Sequence, residues 1–274
     1  MDGYSIENIG QAWGHAQAEQ PSRKVIVNYL WINKNRPADE PAPLCSVPLE
    51  SVHRALENAN RYPNASFSLW LDPKTLDDSS RFFVASYIYA HSQHRNVNIQ
   101  NLRDIPAYAG NPIFRPEKNH DIWARCDLAR YLVLQHILNV MKPDYAIYSD
   151  LDMKDVCIEE ACRIMDVHGL AIAAYRHIEY GLVFKGLENS YLAISRHVTQ
   201  GIDTLNSLIE YGQRDAREGD NGYNSFIYLV REHFDNSLET QQQAFVSCLT
   251  LPMGARLPER PEIQELGLNT PYSV

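Results

Sequence analysis

Long apolar runs are missing from this chain of 274 residues; the longest, such as Tyr131–Leu138, is interrupted by His136. Such runs fall far short of the roughly 20 residues a spanning helix requires, so no transmembrane segment is expected. Met1–Gln20 is polar and mixed in charge, without the basic start and apolar stretch of a secretory signal. A soluble chain is expected, and any export needs another route. Positive charge is also scarce: 25 Lys and Arg face 34 Asp and Glu, a net charge of −9, which argues against attraction to nucleic-acid phosphates. The five Cys, at 45, 126, 157, 162 and 248, are odd in number and form no Cys-x-x-Cys pair. Neither a zinc framework nor a disulfide scaffold is indicated, and buried reduced thiols are expected. There is no Gly-rich phosphate loop, Gly-x-Ser-x-Gly elbow or Cys-His signature. His91 and His94 stand three apart on one expected helix, but no matching His follows downstream, and a solvated helix face is the simpler reading than zinc.

What is present is a core. Hydrophobic residues make up 45% of the chain and 16 residues are Tyr, enough apolar surface to exclude disorder over most of the length. No internal repeat or low-complexity linker divides it. A single domain over 1–274 is expected, with 1–22 as an N-terminal extension and 251–274 as a Pro-rich, irregular C-terminal segment.

Apolar periodicity orders the elements. Val25–Trp31 reads as a buried strand, positions 52, 56 and 59 have helical spacing, and Ser66–Leu71 resumes as a strand, which makes one βαβ unit. A helix over Ser79–His94, a strand over Val97–Leu102 and a long helix from about Asn119 to Val140 follow. The stripe Ile122, Cys126, Ala129, Leu132, Val133 and Ile137 faces the core, leaving Asp127 and Arg130 on an adjoining face, three residues apart. Tyr145–Ser149 reads as a central strand, Leu170–Tyr175, Gly181–Phe184 and Tyr191–Ile194 as further strands, and Thr199–Tyr211 and Gly222–His233 as helices. Such alternation predicts an α/β fold with a mostly parallel, Rossmann-like sheet flanked by helices and function at the carboxyl ends of its strands.

At one such end stands Tyr148-Ser149-Asp150-Leu151-Asp152. With 17 Asp in 274 positions, chance alone supplies about one Asp-x-Asp, so only its context gives the triplet meaning. Alternate residues of an extended strand point the same way, and two hard oxygen donors there can share Mg²⁺ or Mn²⁺ with diphosphate oxygens. They can equally cap the turn before a helix near Cys157.

Three stretches, Trp31-Ile32-Asn33, Asp127-Leu128-Ala129-Arg130-Tyr131 and Tyr148-Ser149-Asp150-Leu151-Asp152, occur here in the same order as in one enzyme group. Over about Val25–Asp152 the chain resembles GT-A fold glycosyltransferases whose sugar-binding region carries Asp-x-Asp, including large clostridial glucosylating toxins and bacterial effector glycosyltransferases. The resemblance implies a metal-dependent hexosyl or N-acetylhexosaminyl transfer from a nucleotide sugar, UDP-linked, with Mn²⁺ or Mg²⁺ as cofactor. It implies Trp31, with neighbouring Asn33, beside the uracil; Asp127 and Arg130 facing the sugar and diphosphate; and Tyr148 near the nucleotide. Asp150 would hold ribose or sugar hydroxyls and share the metal, which Asp152 binds directly. Those four charged residues would form the catalytic set. After Gly186-Leu187-Glu188, Asn189 is the candidate that approaches donor or acceptor. Asn269 and Ser273 partly match a C-terminal segment that supplies metal ligands in relatives, although the Trp that follows there is missing here. The toxin-like resemblance points to a protein acceptor and to delivery into a host cell by a specialised secretion system.

Bland readings remain beside each of these. Trp31 and Tyr148 can be packing residues, Asp127 and Arg130 a surface ion pair of little worth, Asn189 a turn residue, and Glu218–Gly222 a turn and cap. Two rival functions also stand: a phosphohydrolase with Asp150 as nucleophile and Asp152 as acid/base, and a non-catalytic nucleotide-sugar or protein binding module.

Overall fold

Strand β1 is Val25–Trp31, and all but its last residue is buried, as a β-branched run inside a sheet must be. The computed structural model describes residues 23–33, 46–115, 121–179, 182–219, 222–246 and 251–252. Helix α1 (Leu49–Arg61), β2 (Ser66–Leu71), α2 (Asp78–His91) and β3 (Val97–Asn101) come next. α1 buries Val52, Ala55, Leu56 and Ala59, the i, i+3, i+4, i+7 stripe of an amphipathic helix. α2 starts at Asp77, whose carboxylate accepts from the amide and hydroxyl of Ser80, both at 2.7 Å. A short helix, α3 (Pro106–Ala109), precedes the 19-residue α4 (Ile122–Val140), where the Asp121 carboxylate caps the amides of Trp123 and Ala124. The remaining elements are β4 (Tyr145–Ser149), α5 (Ile158–His168), β5 (Leu170–Glu179), β6 (Leu182–Ser195), α6 (Thr199–Glu218), α7 (Tyr223–His233), α8 (Leu238–Gln243) and β7 (Leu251–Pro252).

The strands form one sheet in the order β3-β2-β1-β4-β6-β5-β7. β1 pairs in parallel with β2 and β4, β2 with β3, and β5 with β7, whereas β6 runs antiparallel to both β4 and β5. The sheet is therefore mixed and mostly parallel, as expected, with an antiparallel hairpin set into one half. Period-two alternation divides β1 between two cores. Ile26 and Leu30 join Leu128 and Leu132 of α4, Leu205 of α6 and Phe226 of α7, while Val27 and Tyr29 join Leu56 of α1, Val84 of α2 and Met165 of α5.

Five expectations change. The two strands expected over Gly181–Phe184 and Tyr191–Ile194 are replaced by one continuous strand from Leu182, with Gly181 outside the described residues, because β6 keeps pairing with β5 across a register shift at Ile172/Ala173. α6 continues past Tyr211 to Glu218, and α8 is an additional short helix. α4 is buried nearly all round, Asp127 and Arg130 included, since it lies between the sheet and α6. Cys157 is disulfide-bonded, which corrects the expectation of a reduced thiol there; among the described residues that expectation holds for Cys126 and Cys162. No described helix is long and apolar enough to cross a membrane.

Candidate active site

β4 stops at Ser149, so Asp150 and Asp152 leave the sheet rather than continue it. The period-two argument for their shared direction fails, because the chain turns: the Met153 amide donates to the Asp150 carbonyl at 3.2 Å. Asp150 is aimed by other contacts. Its amide donates to the Ser190 carbonyl of β6 at 2.7 Å, and its Oδ1 accepts the Tyr148 hydroxyl at 2.7 Å. Asp152 is half-buried, and α1 secures its turn: Arg54 donates to the Asp152 carbonyl at 3.1 Å and Asn58 to the Met153 carbonyl at 3.2 Å.

Asp127 and Arg130 share one buried turn of α4, with Arg130 Nη2 2.9 Å from Asp127 Oδ1. A surface ion pair is therefore the wrong description. Arg130 Nη1 donates to the carbonyl of Asn189, and the Asn189 amide donates back to Asp127 Oδ1 at 3.2 Å. The Arg130 guanidinium also lies over the Tyr148 ring, 4.9 Å from its centroid. Asp127, Arg130, Tyr148, Asp150 and Asn189, drawn from α4, β4, its following turn and β6, thus make one connected cluster at the carboxyl end of β4.

The charges in that cluster are strained towards neutrality on the acid side. Burial, assisted by the nearby Asp150 and Glu188, pushes Asp127 up to about 7 against the pull of Arg130. Burial also raises the Tyr148 phenol well above its ordinary range, with Asp150 adding to the effect. The half-buried Cys126 thiol, pushed up to about 12 by desolvation, feels Arg130, Asp127, Asp150 and Arg125 together. Two polar atoms here, Arg130 Nε and the Tyr131 hydroxyl, are buried without a hydrogen-bond partner.

Trp31 and Asn33 form a second group at the end of β1. The indole Nε1 donates to Asn33 Oδ1 at 2.6 Å, and the Asn33 amide donates to Ser46 Oγ at 2.8 Å and to the Thr75 carbonyl at 2.9 Å. Both amide protons of Asn33 are engaged in holding that loop, which orients the half-buried Trp31. Asn269 and Ser273 lie outside the described residues.

Sequence reasoning missed several participants. Glu188 is half-buried and its charge reaches Asp127. Gly222 opens α7 at φ 71°, and a Cβ there would lie 3.8 Å from Asp127 Oδ2 and 3.9 Å from Asp215 Oδ2. The positive end of α7 therefore sits beside two buried carboxylates, a favourable arrangement. The Gly222 cap was legible as a turn-and-cap signal; Glu188, Asp215 and Arg54 carry no local pattern that singles them out.

Among the described residues, no group of three or more His, Cys, Asp or Glu could hold a metal ion. Two carboxylates remain on one turn, and their hard oxygens suit a Mg²⁺ or Mn²⁺ that takes its other ligands from water and phosphate.

No known family profile matches the chain, and no curated protein matches its sequence. Solved structures do. A transferase solved as a double Cys→Ser mutant is similar over 82% of this chain and 89% of its own, at 15% identity and a TM-score of 0.51, a likeness of fold. The PaToxG glycosyltransferase is similar over 88% of this chain and 78% of its own, at 14% identity and a TM-score of 0.43. The bacterial N-acetylglucosamine transferase NleB is similar over 81% of this chain and 91% of its own, at 9% identity and a TM-score of 0.42.

Proposed function

We propose that this chain is a metal-dependent glycosyltransferase that moves a hexose or N-acetylhexosamine from a UDP-sugar to a nucleophile on a protein acceptor, within one GT-A-like domain spanning 1–274. The observation that carries the reading is the connected cluster: Asp127, Arg130, Tyr148, Asp150 and Asn189 come from four separate parts of the chain to one end of the sheet. Packing alone has no need for a buried carboxylate with a pKa of about 7 beside an incompletely bonded guanidinium.

In this reading Arg130 directs positive charge at the donor diphosphate, and its contacts with Asn189 and Tyr148 hold the fork in place. Asp127 accepts from sugar hydroxyls, Asp150 takes ribose or sugar hydroxyls, and Trp31 offers a flat apolar face to the uracil. Asp150 and Asp152 would hold Mn²⁺ or Mg²⁺, which when bound supplies Lewis-acid stabilisation of the leaving diphosphate. Asn269 and Ser273 are proposed to complete its ligands. The toxin-like sequence pattern supports delivery into a host cell.

Nucleotide release from a panel of nucleotide sugars, with Mn²⁺ and then after exhaustive chelation, tests the proposal. Release of UDP from one donor, abolished by EDTA, is expected. Full turnover after chelation removes the metal, and hydrolysis of a generic aryl phosphate with no sugar release replaces the reading with a phosphohydrolase.

A further inference from the structure

Among the described residues, the largest side chain that is fully buried is a cation, Arg125, at 1% exposure. It lies in the first turns of α4, and its Nε and Nη2 have no hydrogen-bond partner. Arg125 makes no ion pair with any described carboxylate. A guanidinium does not shed its proton, and a buried unpaired charge is costly, so this edge calls for an acceptor.

Among the described residues the neighbourhood does not provide one. Asp72, at the end of β2, is fully buried and already saturated: Oδ1 accepts from Arg103 Nε at 2.9 Å and the Lys74 amide at 3.0 Å, and Oδ2 from Arg103 Nη2 at 2.6 Å and the Tyr108 hydroxyl at 2.9 Å. The Arg125 charge is felt at Tyr108, beside a group in which the one carboxylate, Asp72, is already taken by Arg103. It is also felt at Cys126, together with those of Arg130, Asp127 and Asp150. α4 leads into the parallel strand β4, so its first turns lie at the carboxyl edge of the sheet. On the other side, the Asp72 carbonyl accepts Thr75 Oγ1, and Thr75 in turn accepts from Asn33 and hence supports Trp31. Arg125 is therefore coupled to both sides: to Tyr108 in the Asp72 group, whose strand end supports the Trp31 loop, and to Cys126 beside Asp127 and Arg130.

We infer that Arg125 is a donor-binding residue whose unpaired Nε and Nη2 edge takes acceptor oxygens of the nucleotide. The inference rests on the proposed donor site and adds to it a residue that no motif marks. Two parallel N–H groups match a pair of phosphate oxygens, and they can also converge on a base carbonyl.

Calorimetry of the full chain with uridine, UDP and inorganic pyrophosphate, in Mn²⁺, tests this on Arg125→Met and Arg125→Lys. Arg125→Met should melt no lower than wild type without ligand, because apolar volume replaces an unpaired charge, and should bind UDP at least tenfold more weakly. Arg125→Lys, which keeps the charge without the fork, should recover part of that affinity. A loss shared by pyrophosphate but not uridine assigns phosphate oxygens; a loss shared by uridine but not pyrophosphate assigns a base carbonyl. Unchanged UDP affinity in folded Arg125→Met overturns the inference while the donor reading stands. Should that variant fail to fold, unchanged affinity in Arg125→Lys overturns it equally. Wild type that binds no UDP at all overturns the donor reading, and this inference with it.

Discussion

Two buried ionic groups sit at the same edge of the sheet and are built on opposite plans. Around Asp72, every carboxylate lone-pair direction is filled by Arg103, Tyr108 or the Lys74 amide. Around Asp127, burial outruns the available partners: the carboxyl is pushed up to about 7 and Arg130 Nε is left unbonded. A saturated network rigidifies a fold, whereas an unsaturated one holds bonding capacity in reserve for something that arrives. The contrast separates scaffold from site more sharply than burial does, since both groups are almost entirely hidden from solvent.

The largest expected effect breaks the scaffold side. Asp72→Ala removes the fully buried carboxylate that Arg103 and Tyr108 share, and should cost roughly 3–5 kcal/mol in urea unfolding. Activity per folded molecule should stay near wild type; an equal loss of turnover would erase the distinction between the groups. On the site side, Asp152→Asn keeps shape but removes charge, so nucleotide release should fall by on the order of a hundredfold, the scale of losing one transition-state contact. Its melting temperature should remain within a few degrees of wild type, and a steep fall would mark Asp152 as a capping residue instead. Trp31→Ala should weaken UDP binding by about five- to a hundredfold, the worth of roughly 1–3 kcal/mol of base stacking. Unchanged affinity would return Trp31 to the core.

The smallest effect concerns pH. Because the folded-state pKa of Asp127 is raised from 3.8 to about 7, its stabilising contribution is fully present below about 3.8 and is lost progressively as pH rises to about 7. Between pH 5 and pH 8 the metal-free wild type should therefore lose stability relative to Asp127→Asn, by on the order of 1–3 kcal/mol. Chemical denaturation at the two pH values measures this directly, and an identical effect at both would show that Asp127 stays ionised throughout.

Much of this was legible in the chain itself. Val25–Trp31, Ser66–Leu71 and Tyr145–Ser149 read correctly because buried parallel strands are short, continuous apolar runs. The hairpin half was harder: Lys185, Glu188 and Asn189 interrupt the apolar pattern of β6, so one long strand reads as two. At the site, Asp127, Arg130, Tyr148, Asp150 and Asn189 are all nameable from the sequence, but a turn at Asp150 replaces the strand geometry that the Asp pair suggests. Arg125 carries no mark in the sequence, because an absent acceptor leaves no trace in a one-dimensional pattern. Arg54 and Asn58 act across more than 90 positions, and no local spacing encodes that.

The hairpin also sets an order of assembly. β1 and β4 pair directly, and both precede residue 150, so the parallel half has its strands as soon as that much chain exists. Asp150 is not aimed until Ser190 is present, and the partners that Asn189 gives Asp127 and Arg130 arrive at the same moment. During synthesis, which proceeds from the N-terminus, the scaffold precedes the working cluster by about forty residues of chain, a few seconds at ordinary elongation rates. A fragment that stops short of Leu187 carries every residue of the Asp-x-Asp turn and none of the β6 contacts that direct it.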